Sequence, residues 1–134
     1  MTPELINRLA AHEVSRQFLR FAAVGAVATA VHYSILVGLK EGLGVSPLVA
    51  TTFGYGAGAL ISYTLNRRFT FDTKPAFTSG LLKFLAVVFI GALINGAIVA
   101  ALIKAGLYYL LAQLIATALV LIWNFAASRL VVFR

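Results

Sequence analysis

Uncharged positions gather into four stretches, 21–39, 42–66, 84–103 and 105–128, and every charged residue lies outside them. A helix needs about 20 apolar residues to cross a hydrocarbon core of about 30 Å, so each stretch is long enough to span. None alternates strictly between polar and apolar, which selects helices over the strands of a closed barrel, the other form that satisfies its backbone in lipid. The pattern predicts an all-α membrane protein with four transmembrane helices. Before them, residues 1–17 form a further element: Thr2 is placed to cap a helix with Pro3 at its first position. Leu5, Ile6, Leu9, Val14 and Phe18 make an apolar face opposite Arg8, Glu13 and Arg16. That segment is expected to lie as an interfacial amphipathic helix on the membrane, ahead of a single transmembrane domain over residues 18–134. The segment "DTKPAFTSG", with Pro75 and Gly80, reads as a connector.

Composition supports the same class and excludes others. The chain is 61% hydrophobic and 11% charged with a mean hydropathy of +0.96, outside the range of soluble domains. Its net charge of +7 points to anionic lipid as a partner rather than nucleic acid. Arg8, Arg16, Arg20, Arg67, Arg68, Lys74, Lys83, Arg129 and Arg134 fall on one side of the predicted spans, and Lys40 and Lys104 on the other. The positive-inside rule therefore predicts that both termini are cytoplasmic. "AVATA" lies inside the first stretch rather than after it, so a cleaved signal peptide is not expected. With no cysteine, thiolate and disulfide chemistry is absent.

The two halves resemble each other. Arg20-Phe21 recurs as Lys83-Phe84, 63 positions on, and His32 meets Asn95 at that same offset. Arg67 meets Arg129 and Phe71 meets Phe133, each 62 positions on. One hairpin, 18–71, is predicted to be used again as 81–133, a parallel repeat related by an axis along the membrane normal, with a substrate path near it.

Two groups of side chains are candidates for chemistry. Arg67, Arg129, Arg68, Arg20 and Lys83 gather at the predicted cytoplasmic helix ends, where guanidinium forks suit a lipid phosphate. The same residues also serve as an orientation signal, with Phe69, Phe71 and Phe133 as interfacial anchors. Inside the spans, His32, Ser62, Tyr63, Asn66, Asn95, Trp123 and Asn124 are the candidates for a polar substrate track. Asn95, Asn124 and Gln113 equally suit hydrogen bonds between helices, and His32 a neutral, satisfied position. "TTFGYGAG" resembles a channel filter, but only residues 57–66 come between it and the arginines, too few for the spanning helix a filter needs. It reads better as a Gly54-xxx-Gly58 packing face for another helix, and as the expected contact of a homo-oligomer, a dimer first. Every acid, Glu4, Glu13, Glu41 and Asp72, lies outside the spans, which disfavours a cation exporter. With no intramembrane carboxylate, no metal-ligand cluster and no Gly-rich phosphate loop, neither an enzyme nor a bound cofactor, metal or ATP is expected.

"FLRFAAVGAVATAVHYSIL", "LISYTLNRRFTF", "LLKFLAVVFIGALINGAIV" and "LIWNFAASRLVVF" resemble the GtrA-like family of four-helix bacterial membrane proteins, over roughly residues 18–133. Members often carry an acid in the first helix where this chain has His32. The resemblance implies a location in the bacterial inner membrane and a role in translocating polyprenyl-phosphate-linked sugars for O-antigen modification and related envelope glycosylation. A scaffold that recruits or assists a neighbouring glycosyltransferase is the alternative it implies.

Overall fold

Nothing between Pro3 and Phe21 can stop a helix, since no glycine or proline intervenes, and none stops. In the computed structural model, which describes residues 1–134, α1 runs unbroken over Pro3–Val37, with Thr2 Oγ1 accepting from Leu5 N–H at 3.3 Å. At 1.5 Å per residue its 35 residues extend about 52 Å, well beyond one hydrocarbon core. The first 17 residues and the first span are thus one helix, without the break expected between them. After a wide turn over Gly38–Gly42, Gly44 takes a φ of +67°, open to residues without a Cβ, and Ser46 and Pro47 start α2 (Pro47–Leu65). α3 spans Phe77–Lys104 and α4 Tyr109–Ala127. Gly80, read from sequence as part of a connector, lies buried in the first turn of α3. With the turns that extend them, all four helices are long and apolar enough to cross a membrane.

The chain forms two compact units, Met1–Asp72 and Thr73–Arg134, each a helical hairpin. In the first, α1 buries Gln17, Phe21, Val24 and Ala28, spaced four, three and four apart, a single stripe on a 3.6-residue period. In the second, α3 buries Gly80, Phe84, Val87 and Gly91, each 63 positions after its counterpart. The partner helices correspond likewise: Ala50, Gly54 and Tyr63 of α2, and Ala112, Ala116 and Phe125 of α4, are buried at an offset of 62.

The glycine face is occupied within the first hairpin. A Cβ on Gly54 would stand 2.7 Å from His32 Cδ2 and from the His32 carbonyl oxygen, and one on Gly58 3.0 Å from the Ala28 carbonyl oxygen. The helix that Gly54-xxx-Gly58 receives is therefore α1, and this face is not open to a second copy. Small residues bring helix backbones together where lipid supplies no hydrophobic drive between them.

Candidate functional site

Both hairpins finish in the same unusual way. Residues Asn66–Thr70 after α2 and Ser128–Val132 after α4 widen into π-helical turns, in which Phe71 N–H donates to Asn66 O at 3.1 Å and Phe133 N–H to Ser128 O at 2.8 Å. A π turn inserts one extra residue per turn, rotates the residues beyond it about the helix axis, and often marks functional positions. Here it turns Phe71 and Phe133 inward, each buried, with Phe71 meeting Phe21 edge-on at 6.3 Å. Arg67 and Arg129 occupy the second position of each turn and are half-buried.

The other cations are more exposed. In the first hairpin Arg20 Nη1 donates to the Phe69 carbonyl at 3.1 Å, and the Arg68 guanidinium lies 5.2 Å from the centre of the Phe69 ring. Arg67 shares a side-chain hydrogen bond with Tyr63, one turn back and fully buried. In the second hairpin Lys83 is exposed on α3, 63 positions after Arg20. No carboxylate pairs with Arg20, Arg68 or Lys83; the ion pair of Lys40 with Glu41, 3.8 Å apart, belongs to the turn after α1. The charge of Arg20, Arg68 and Lys83 is thus left uncompensated by acids of the chain.

Most of the intramembrane polar residues are engaged inside their own hairpin. His32 Nε2 lies 3.1 Å from Thr51 Oγ1, with the ring stacked on Tyr33 at 5.4 Å and edge-on to Tyr55 at 5.9 Å. Asn95, its counterpart, accepts from Gln113 Nε2 at 2.9 Å, and Gln113 donates also to Thr117 at 3.0 Å. Thr51 and Gln113 are themselves 62 apart, so one cross-helix polar pair occurs in each hairpin with different side chains. Thr51 has no role in the sequence reading, although that offset marks it. Trp123 Nε1 donates to the Val87 carbonyl at 3.0 Å. Ser34, Thr52 and Thr64, exposed on helix faces, return their hydroxyls to the carbonyls of Ala30, Leu48 and Leu60, which satisfies them without water.

Near the π turns the halves differ. Thr70 donates to Asn66 Oδ1 at 2.7 Å and Asn66 Nδ2 to Ser62 Oγ at 3.3 Å, a ladder centred on the fully buried Asn66. The corresponding positions are Asn124, Ser128 and Val132. Valine brings no hydroxyl, and Asn124 Oδ1 and Ser128 Oγ are buried without a partner. Asn124 fits there because Gly91 opposite is bare: a Cβ would stand 2.6 Å from Asn124 Oδ1 and 3.2 Å from Trp123 Cδ1. Ser128, like Phe69 and Thr70, is missing from the polar track that the sequence pattern suggests.

A family profile, "GtrA/DPMS, transmembrane domain", matches residues 20–133, from the first arginine of this group to the phenylalanine that closes the second π turn. No curated protein matches the chain.

Proposed function

Because the chain belongs to the GtrA/DPMS transmembrane family, one tied to polyprenyl-phosphate sugars, we propose that it is a translocase for a polyprenyl-phosphate-linked sugar. The sugar moves from the cytoplasmic to the outer leaflet of a bacterial inner membrane, with both termini of the protein in the cytoplasm. The observation that carries this reading is that Arg67 and Arg129 lie half-buried at equivalent places in the two π turns. A guanidinium partly withdrawn from water binds a phosphate more strongly than an exposed one. In this reading each π-turn arginine offers a contact to a phosphate, and the isoprenoid stays in the bilayer. Side chains such as Asn124 and Ser128 replace water around the sugar hydroxyls, since each unsatisfied polar group in hydrocarbon costs several kcal/mol. The protein breaks no covalent bond and uses no ATP, and net movement tracks the gradient between synthesis inside and consumption outside.

A second reading is favoured by the pairing of His32 with Thr51, Asn95 with Gln113 and Trp123 with Val87. With these side chains committed to packing, the protein is a membrane scaffold that holds a polyprenyl-phosphate glycosyltransferase. Reconstitution of the pure protein into liposomes with a labelled polyprenyl-phosphate hexose separates the two. Sugar exposure to an impermeant oxidant above that of protein-free liposomes is the expected outcome, and equal exposure across several sugars leaves the scaffold.

A further inference from the structure

Arg20, Ala23, Val24 and Val27 recur at helical spacing on one face of α1, and with Phe69 they line an open groove of about 440 Å³. From Arg20 to Val27 the groove runs along the helix for about 10 Å at 1.5 Å per residue, with a cation at one end and only apolar side chains beyond it. Val24 is its buried floor; Val27 and Phe69 are half-exposed walls. An arginine at a membrane boundary ordinarily extends toward water. Arg20 also donates to the Phe69 carbonyl, and Arg68 lies over the ring of that same residue, so both guanidinium groups neighbour Phe69 and neither is paired with a carboxylate. The mouth is thus cationic, and the groove leading from it is apolar.

We propose that this groove is the entry subsite for a polyprenyl phosphate, with the phosphate between Arg20 and Arg68 and the first isoprene units along Ala23, Val24 and Val27. The assignment rests on the reading of the protein as a handler of polyprenyl-phosphate sugars and adds where the tail lies. It belongs to the first hairpin alone. At the 62-residue offset, Arg68 and Phe69 become Leu130 and Val131, so the second hairpin has neither the second cation nor the aromatic wall. A single-chain phosphate suits the site better than a diacyl lipid, whose second chain the one groove does not seat.

The test uses the full-length protein in detergent micelles and farnesyl phosphate as probe, with farnesol, inorganic phosphate and phosphatidylglycerol as competitors. Wild-type protein is expected to bind farnesyl phosphate at least tenfold more tightly than farnesol or inorganic phosphate. Ala23→Leu and Val27→Trp, which fill the groove, should each weaken farnesyl phosphate about tenfold and leave competition by inorganic phosphate unchanged; Arg20→Gln should weaken both. Leu119→Trp, on an exposed face of α4, is the control for added bulk, and if Val27→Trp loses its helical circular dichroism the smaller Ala23→Leu decides. Wild-type affinity for farnesyl phosphate in the folded groove-filled variants overturns the proposal. So does equal displacement by phosphatidylglycerol, which would make the mouth a general anionic-lipid patch. Binding without sugar translocation in liposomes rejects the translocase and keeps the groove; translocation undiminished by groove filling does the reverse.

Discussion

The imidazole of His32 lies where a side chain on Gly54 would stand, with His32 Cδ2 and the His32 carbonyl oxygen both 2.7 Å from the position of a Cβ. Because one obstacle is backbone, trimming the histidine cannot clear the site. Gly54→Ala should destabilise the first hairpin by about 1–3 kcal/mol, the cost of overpacking a close contact, and His32→Ala added to it should not restore stability. Gly56→Ala and Gly96→Ala, where nothing lies within 4 Å, should be neutral or stabilising by about 0.5–1 kcal/mol. Thermal unfolding in detergent measures all four; a Gly54→Ala variant as stable as Gly96→Ala would show that the helices pack less closely.

The unequal ladders beside the π turns give a prediction of opposite sign. Val132→Thr supplies to Ser128 the hydroxyl that Thr70 supplies to Asn66, and should raise the stability of the second hairpin by about 0.5–1.5 kcal/mol, the net worth of one hydrogen bond. Asn66→Ala strands Thr70 and Ser62 and should cost about 1–3 kcal/mol. Chemical denaturation of each variant reads the change, and a Val132→Thr variant less stable than wild type would mean that Ser128 is already met by water.

The four spans were legible because hydropathy over 20 residues is a property of composition, and Thr2 was legible as a cap because capping is local. Helix rotation was not. His32 finds Thr51 only once α1 and α2 are set at one angle, and Trp123 bonds a backbone carbonyl, an acceptor with no mark in the sequence. The π turns were hidden for a related reason, since burial of Phe71 against Phe21, 50 residues away, accompanies the extra residue in the turn. Arg67 and Arg129 were visible through their offset, yet the offset could not tell that Arg20 and Arg68 meet at one phenylalanine.

Orientation rests on nine basic residues on one side against two on the other. The chain has no cysteine, so single cysteines report cleanly. Thr73→Cys, between the hairpins, and Leu43→Cys, exposed in the α1–α2 connection, avoid the Ser46 cap of α2. In intact cells an impermeant thiol reagent should label Leu43→Cys and spare Thr73→Cys. The reverse pattern would place the arginines outside, where a lipid synthesised in the cytoplasm does not first meet them.

Arg67 and Arg129 should matter to the sugar-bearing lipid in equal measure, because each sits second in its π turn and each is half-buried. Glutamine is shorter but keeps a planar donor group while removing the charge, so Arg67→Gln and Arg129→Gln should each weaken binding of a polyprenyl-phosphate hexose by about 1.5–3 kcal/mol, the range for hydrogen bonds to charged groups. Lysine keeps the charge without the planar fork and should recover only part of the loss. Raised salt should weaken the wild type less than it would an exposed site, since partly buried pairs are poorly screened. Binding isotherms in nanodiscs at low and physiological salt give these comparisons. Wild-type affinity in both glutamine variants would show that the arginines only orient the helices in the membrane, and the phosphate would then have to be held by Arg20 and Arg68 alone.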